Sequence, residues 1–295
     1  MIEITVLTPT FNRAHTLQRV FQSLKNQSSK NFEWIIIDDG SNDNTQQLVN
    51  EFILMADFKV KYLYKKNGGK HTAINLGIEN ITTELTIILD SDDYLLEDAI
   101  QKILIYWNKF KVDETLCGLS FLKGYPNNKI VGSRFTRNCF KSNHIECRHN
   151  IGESGDKAEV FLTKILKEFK FPEIENEKFV PEDLIWTRIA RKYSTIYINE
   201  IIYMCEYLPD GLSMSGKKIL INSPKALRIL YNESLDSSFK IKLRIKHCIQ
   251  YIIYSLFSHV QIKNIFNESN SKLITVITFP LGYILYIIWK SKYSN

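Results

Sequence analysis

Short apolar runs alternate with amphipathic segments over residues 1–110 of the chain. Runs of consecutive apolar residues predict buried strands, whereas apolar positions three or four residues apart predict helices. This pattern predicts strands at 4–7, 34–37, 60–64 and 85–89 and helices at 17–24, 45–55, 71–79 and 99–107. Such an alternation predicts an α/β fold with a mostly parallel sheet, right-handed crossovers and helices on both faces.

The pattern changes after residue 110. We expect a mobile polar loop at 138–156, a helix at 181–192 and a strand at 195–202. Beyond residue 224 the composition favours long helices with basic and aromatic faces. We therefore predict a catalytic domain over residues 1–215, with halves 1–110 and 111–215, and a helical C-terminal region over 216–295.

The amino-acid composition of the chain excludes only a few classes of protein function. The chain has 38 Lys and Arg against 32 Asp and Glu, a net charge of +6, which does not indicate a nucleic-acid-binding protein. Its five cysteines lack the spacing of a zinc site or a disulfide framework, so we expect free thiols in a reducing compartment. The N-terminus has no signal-peptide pattern, so we expect a cytoplasmic protein.

Three polar motifs follow predicted strands, at residues 8–13, 38–41 and 90–93. The carboxyl ends of parallel strands meet at one edge of a sheet, where ligands bind. Asp90, Asp92 and Asp93 lie directly behind an apolar strand, and clustered carboxylates are costly without a positive partner. A divalent cation carrying a phosphorylated substrate would satisfy them. The alternative is an acidic turn that caps the next helix.

Taken in order, the motifs at residues 8–13, 38–45, 67–75 and 90–93 resemble those of the family 2 glycosyltransferases. These are inverting enzymes that use nucleotide sugars and have the GT-A fold, a Rossmann-like α/β architecture. The resemblance is close over residues 1–110 and weaker to about Ser213. It implies the same fold and reaction class for this chain.

The resemblance also implies roles for individual residues on the donor side. Asp92, helped by Asp93, would hold Mn²⁺ or Mg²⁺. Asp39 would accept a hydrogen bond from the base; its alternative is to cap the helix that begins near residue 45. Lys70 would reach the nucleotide or its phosphates; its alternative is a solvated loop lysine. The implied nucleotide-sugar-binding residues are Pro9, Thr10, Phe11, Arg13, Asp39, Lys70, Asn75, Asp90, Ser91 and Asp93.

On the acceptor side, residues 179–188 resemble the family's acidic motif. Inversion needs a base for the acceptor hydroxyl; we favour Asp183, with Glu182 second. Both acids also suit the first turn of a helix, which is the structural alternative. Further acceptor or lid residues are Asp156, Trp186 and Ser213. Asp156 would otherwise cap a helix through residues 160 and 161, and the lid segment, 207–213, would otherwise be an exposed turn.

The C-terminal region carries an uncharged stretch at 273–289, flanked by Lys272 and Lys290. As a helix it would be about 26 Å long, short of the roughly 30 Å hydrocarbon core. Because Pro280 and Gly282 interrupt it, we expect an interfacial or re-entrant helix pair rather than a clean span. The residues expected to help this helix pair bind the membrane surface are Tyr251, Tyr254, Leu256 and Phe257. The alternative is a helix buried against the catalytic domain.

Together these features predict a metal-dependent hexosyl- or N-acetylhexosaminyltransferase at the inner face of the cell membrane. The donor would be a nucleoside diphosphate sugar, with UDP favoured, and the acceptor a glycan or polyprenyl-linked glycan in surface polysaccharide assembly. Two alternatives are a non-catalytic partner of a membrane-associated glycan-assembly complex and a sugar-nucleotide pyrophosphorylase. The second usually has a glycine-rich nucleotide loop, and residues 8–13 contain no glycine.

Overall fold

The structure is a computed structural model that describes residues 2–127, 129–206 and 216–293. Its strands are β1 (Ile4–Thr10), β2 (Phe32–Asp38), β3 (Lys59–Tyr64), β4 (Leu85–Ile88), β5 (Tyr94–Leu95), β6 (Leu116–Gly124), β7 (Phe140–Ser142), β8 (Lys157–Leu162) and β9 (Ser194–Met204). Its α-helices are α1 (Ala14–Lys25), α2 (Thr45–Met55), α3 (Lys70–Asn80), α4 (Ala99–Phe110), α5 (Thr163–Glu168), α6 (Asp183–Ala190), α7 (Gly216–Ile221), α8 (Pro224–Glu233), α9 (Ile241–Phe257), α10 (Ile262–Glu268) and α11 (Lys272–Tyr293). A π-helix spans Ile145–Ile151.

The strands form one mixed sheet in the order β3-β2-β1-β4-β8-β6-β9-β5, with β7 added beside β9. The first four strands in this order pair in parallel, as the strand and helix pattern predicted. The prediction of a mostly parallel sheet is wrong for the second half, where β8 pairs antiparallel with both β4 and β6. The α/β fold class itself is confirmed.

Helices cover both faces of the parallel part, because neighbouring residues of a strand point to opposite sides. On one face, the Trp34 ring lies 6.4 Å from Phe21 of α1 and 6.0 Å from Phe52 of α2. On the other face, Leu7 contacts α3 at Gly77, where a Cβ atom would lie only 2.3 Å from a Leu7 methyl. This close approach seats α3 on the sheet and so places its N-terminus, at Lys70, against the strand ends.

Residues 138–156 are not the continuous polar loop that the sequence predicted. They contain β7 and the π-helix, whose backbone is irregular enough that its apolar positions follow neither helical nor strand spacing. The alternative of a helix through residues 160 and 161 is also wrong. Both residues belong to β8, which lies between β4 and β6 in the sheet, so Asp156 does not cap a helix.

The C-terminal helices pack on the rest of the chain. Arg188 of α6 makes two hydrogen bonds to the carboxylate of Glu233 in α8, at 2.9 and 2.7 Å. The carboxylate of Glu177 accepts hydrogen bonds from the first backbone N–H groups of α8, at Lys225 and Ala226. The main hydrophobic core includes residues of α8 and α9 as well as the sheet. Helices α8 and α9 and the sheet therefore share one hydrophobic core.

Helix α11 runs unbroken from Lys272 to Tyr293, so the expected interruption at Pro280 and Gly282 is wrong. Pro280 lies on the exposed side, whereas Gly282 is buried. A Cβ atom at Gly282 would lie 2.8 Å from Ile252 of α9, so the missing side chain lets the two helices approach closely. Tyr251 and Tyr254, expected at a membrane surface, are buried inside the protein instead.

Candidate active site at the carboxyl ends of the strands

The structure brings the three strand-end motifs to one rim. Thr10 and Asp38 are paired in register at the ends of β1 and β2, and the backbone N–H of Asp39 donates to the Thr10 carbonyl at 2.8 Å. Asp90 follows β4, the other neighbour of β1. The register of the parallel strands therefore sets the relative positions of the three motifs.

Asp39 organises the loop that precedes α3. Its carboxylate accepts hydrogen bonds from Lys65 Nζ at 2.8 Å, from the Gly68 N–H at 2.9 Å and from the Gly69 N–H at 2.7 Å. Asp39 is 3% exposed, so the loop satisfies most of its acceptor capacity. The capping alternative for Asp39 is wrong, since Asp43 accepts the hydrogen bond from the Thr45 N–H.

Gly69 determines how the chain enters α3. Its φ is +100°, and a Cβ atom there would lie 2.1 Å from the Lys178 carbonyl oxygen. A residue with a side chain would be both strained and in collision at this position. The loop therefore approaches the acceptor-side segment closely enough for Lys70 to reach it.

Lys70 joins the acidic motif at residues 90–93 to the acidic motif at residues 179–188. Its Nζ lies 2.5 Å from Asp90 Oδ1 and 2.8 Å from Glu182 Oε1. Burial would lower the pKa of Lys70, but the two carboxylates outweigh burial and raise it. Lys70 is thus held between two acids that favour its charged form, and the solvated-loop alternative does not describe it.

The other two carboxylates of residues 90–93 have different environments. Burial and the neighbouring Asp90 charge raise the pKa of Asp92. The Asp92 side chain is partly accessible to solvent. Asp93 is 6% exposed, and its carboxylate accepts a hydrogen bond from the Glu206 N–H at 3.3 Å. Burial and Asp90 raise the pKa of Asp93 to about 7. Asp92 is therefore better placed than Asp93 to meet a ligand.

Two groups near these acids were missed from the sequence. Lys123 of β6 lies with its Nζ 4.0 Å from the centre of the Tyr203 ring. Burial would lower the pKa of Lys123, but Asp90 and Asp93 raise it. The Tyr203 hydroxyl accepts a hydrogen bond from the Asp90 N–H at 3.0 Å. Both lie on strands whose apolar pattern gave no sign that they face the acidic motif.

Asp183 contacts two histidines. His144 Nε2 lies 2.8 Å and His149 Nε2 lies 3.0 Å from the same oxygen of Asp183, Oδ1. Burial would raise the pKa of Asp183, but the hydrogen bonds and charges of the two histidines hold the pKa well below its usual range. The two adjacent acids of the acceptor motif, Glu182 and Asp183, thus point into different environments.

Two of the predicted site residues serve the core. Asn75 is buried and exchanges hydrogen bonds with the Phe171 backbone at 2.9 and 3.0 Å, while its amide also donates to Glu173. Trp186 is 8% exposed and stacks on Phe161, with ring centroids 4.4 Å apart. Asn75 and Trp186 therefore have structural roles in the core, which their residue types alone did not reveal.

The remaining predicted residues lie along the rim or near it. Thr10 and Ser91 are buried, and Thr10 Oγ1 has no hydrogen-bond partner among the residues that the structure describes. Phe11 is 44% exposed beside Arg13. The other rim residues are Pro9, which is buried in β1, and Asp156, which is exposed just before β8. Ser213 and the rest of the predicted lid, 207–213, lie outside the described residues.

Comparison with known proteins agrees with this arrangement. The model of glycosyl transferase family 2 matches residues 5–166. The β-1,3-glucosyltransferase of Campylobacter jejuni that acts on GalNAc(5)-diNAcBac-PP-undecaprenol is 24% identical over 266 residues, covering 85% of this chain and 81% of that protein. An uncharacterized glycosyltransferase of Rickettsia conorii is 40% identical over 99 residues, 34% of this chain. That match spans only 16% of the Rickettsia protein.

Solved structures share the fold at low sequence identity. Staphylococcus aureus TarS 1-349 in complex with UDP-GlcNAc superposes with a TM-score of 0.62 and 19% identity, covering 89% of this chain and 74% of that one. The mannosyltransferase PcManGT of Pyrobaculum calidifontis, in complex with GDP-Man and Mn²⁺, superposes with a TM-score of 0.57 and 15% identity, covering 99% and 84%.

Proposed function

This chain belongs to glycosyl transferase family 2, and from that premise we propose that it transfers a sugar, with inversion, from a nucleoside diphosphate sugar to a hydroxyl group of a glycan. The observation that carries the proposal is the Lys70 bridge, which brings Asp90 of the donor motif and Glu182 of the acceptor motif to one ammonium. A donor and an acceptor bound on either side of this bridge would meet at the rim.

The donor would bind along the ends of β1, β2 and β4. Phe11 offers an exposed aromatic surface to a base, and Arg13 and Lys70 supply positive charge for a diphosphate. Asp39 would hold the Gly68-Gly69 turn in place, and with it the N-terminus of α3. We favour UDP as the nucleotide because TarS, a solved structure with this fold, is a complex with UDP-GlcNAc.

The acidic motif fits a divalent cation. Asp92 is partly accessible and lies beside the Asp90 charge, which raises the pKa of Asp92, so a cation there would relieve an unfavourable environment. Carboxylate and phosphate oxygens suit Mn²⁺ and Mg²⁺ equally. When bound, such an ion neutralises charge on the departing diphosphate. Asp92 would hold it, while Asp93 stays engaged with the backbone of Glu206.

We assign the general base to Glu182 and not to Asp183, the residue favoured from the sequence. Glu182 lies on the Lys70 side of the motif, next to the donor rim. Asp183 already accepts hydrogen bonds from two histidines, and its lowered pKa makes it a poor proton acceptor. In the transfer, Glu182 takes the acceptor hydroxyl proton as the acceptor oxygen bonds to the anomeric carbon and the bond to the diphosphate breaks.

The exposed face of α11 supports a membrane-associated acceptor. The α11 helix is long and apolar enough to cross a membrane, and 22% of its most apolar window is buried. Its apolar exposed positions recur at helical spacing along one side: Leu273, Val276, Ile277, Leu281, Ile284, Ile287 and Ile288. Lys272 and Lys290 flank this row.

The opposite side of α11 packs on α9, so the helix suits an interfacial position better than a span. We infer that the acceptor is a polyprenyl-linked glycan at the inner face of the cell membrane. The Campylobacter jejuni relative acts on a glycan linked to undecaprenol through a diphosphate.

Donor hydrolysis tests the proposal directly. The purified chain is incubated with a panel of UDP-, GDP- and dTDP-sugars with Mn²⁺ or Mg²⁺, and release of the nucleoside diphosphate is measured with and without lipid-linked glycan extracts. We expect release with one donor and its acceleration by acceptor. Nucleotide binding without turnover in every combination would instead favour the non-catalytic partner.

A further inference from the structure

Three side chains of types that can bind a metal ion meet at residue 183, in the segment 179–188. His144 is the N-cap residue of the π-helix, His149 lies within that helix, and Asp183 is the first residue of α6. The ligand atoms of the three residues all lie within 4.8 Å of one another. Five residues make about one turn of a π-helix, which forms its hydrogen bonds between residues i and i+5. The unusual backbone thus explains how two histidines at this spacing reach the same carboxylate oxygen.

The surroundings of this His-His-Asp cluster, formed by His144, His149 and Asp183, are half-enclosed. Phe239 packs edge-on against His149, with ring centroids 5.2 Å apart. His247 of α9 lies behind His149 at a ring distance of 6.1 Å, is 8% exposed, and its Nδ1 has no hydrogen-bond partner among the described residues. The Asp183 side chain is 34% exposed, which leaves an entry path from solvent.

The chemistry of this cluster differs from that of the donor rim. Two imidazole nitrogens and one carboxylate oxygen suit Zn²⁺ and similar transition ions, whereas Mg²⁺ prefers oxygen ligands alone. Three protein ligands with one side open match a four-coordinate ion that keeps a water molecule. The present N···O distances of 2.8 and 3.0 Å require only a slight opening to admit an ion between the side chains.

We propose that His144, His149 and Asp183 form a binding site for a transition-metal ion of the Zn²⁺ class, separate from the Mn²⁺ or Mg²⁺ position at Asp92. Each histidine coordinates through Nε2 and keeps its proton on Nδ1. The ion joins the π-helix to the start of α6, beside Glu182. The site stands independently of the proposed glycosyl transfer, because its evidence is the ligand geometry alone.

Cobalt absorption tests the site without an activity assay. The full chain is stripped with chelator, dialysed, and titrated with CoCl₂ in excess MgCl₂, and then with ZnCl₂. We expect the visible bands of four- or five-coordinate Co²⁺ at one ion per chain, displaced by Zn²⁺. Each of His144→Ala and His149→Ala is expected to weaken binding by roughly tenfold or more, since even indirect partners of a metal site contribute that much.

His15→Ala is the matched control, because His15 is an exposed histidine of α1 outside the cluster. It should leave the cobalt spectrum unchanged, as should Asp92→Asn. A wild-type spectrum of hydrated Co²⁺ only, or equal losses in His15→Ala and His149→Ala, would overturn the proposal.

A second measurement needs no variant. Histidines of the wild-type chain are modified with diethyl pyrocarbonate and located by mass spectrometry, with and without ZnCl₂. Zn²⁺ should protect His144 and His149 but not His15. Equal modification of all three in the presence of Zn²⁺ would contradict the site even if the alanine variants do not fold.

Discussion

Lys70 and Glu182 are 2.8 Å apart, although one begins α3 and the other immediately precedes α6. The contact depends on the left-handed Gly69 and on its close approach to Lys178. It links the segment that follows β3 to the motif at residues 179–188. The first two predictions follow from it.

Glu182→Gln is expected to lower the rate of sugar transfer by roughly a hundredfold or more, because a positioned general base typically contributes that much. UDP affinity, measured by calorimetry, should change little. Asp183→Asn is the comparison, and it should retain most of the transfer rate. If Glu182→Gln transferred sugar normally and Asp183→Asn did not, the general base would be Asp183.

Lys70→Met should weaken nucleotide binding and lower the free energy of unfolding by about 1–2 kcal/mol, since it leaves Asp90 and Glu182 without their shared cation at a partly exposed site. Urea denaturation measures the stability change. Lys66→Met, at an exposed neighbouring lysine, is the control and should have the stability of the wild type. Equal stability of the two variants would show that the bridge contributes nothing.

Asp92→Asn should reduce metal-stimulated donor hydrolysis by roughly a hundredfold or more, because the ion supplies several kcal/mol of charge stabilisation. The measurement is UDP release as a function of Mn²⁺ concentration, with EDTA as the blank. Asp57→Asn is the matched control, because Asp57 is an exposed carboxylate paired with Lys30. This variant should show the same dependence of UDP release on Mn²⁺ concentration as the wild type. A wild-type metal response in Asp92→Asn would remove Asp92 from the metal site.

From the burial of His71 we predict a specific pH dependence of the free energy of unfolding. It is 2% exposed, and neither ring nitrogen has a partner among the described residues. Burial lowers the pKa of His71 and repulsion by Lys65 adds to this, despite the nearby charges of Glu173 and Asp39. Below the unfolded pKa of about 6.5, the unfolded state takes up a proton that the folded state resists. His71 therefore contributes to a loss of stability as the pH falls.

The measurement is the free energy of unfolding at pH 7.5 and at pH 5.5, chosen to lie about one unit on either side of the reference pKa. His71→Leu should lose less stability between these two conditions than the wild type does. His15→Leu, at an exposed position, should lose as much as the wild type. An unchanged pH dependence in His71→Leu would mean that His71 is protonated in the folded protein.

Ile277→Asp combined with Ile284→Asp should lower binding to anionic phospholipid vesicles by roughly tenfold or more, because each buried isoleucine contributes about 1.5–3 kcal/mol. Both residues lie on the exposed side of α11, so the free energy of unfolding should stay close to that of the wild type. Co-sedimentation measures the binding.

The control for the vesicle experiment is Ile105→Asp with Val112→Asp, two exposed apolar residues elsewhere on the protein. It should bind vesicles as the wild type does. If both double variants lost binding equally, the attraction would not be a property of α11.

The sequence predicted the first half of the fold well, for a physical reason. Strands β1, β2 and β4 contain runs of apolar residues, and the helices between the strands repeat their apolar positions every three or four residues, so each element could be predicted from its own period. Because these strands are parallel, placing the motifs of residues 8–13, 38–41 and 90–93 at their ends also predicted a shared rim. That prediction needed no knowledge of side-chain contacts.

The second half resisted prediction because its structure depends on partners far away in the chain. β8 carries Lys157 and Glu159 among its apolar residues, and its place between β4 and β6 comes from pairing with them. Asn75 and Trp186 belong to the motifs at residues 67–75 and 179–188, yet their side chains make contacts within the core. The convergence of His144 and His149 on Asp183 also needed the π-helix, for which the sequence gave no signal.

The glycine contact between α11 and α9 has a geometric consequence. Gly282 seats α11 directly on Ile252, while α8 and α9 share the main core with the sheet. The packing of these helices therefore holds the row of exposed apolar residues at a constant height relative to the strand ends. An enzyme anchored in this way would present its rim to acceptor groups at one depth above the lipid, so the spacing would select which sugar of a chain is extended.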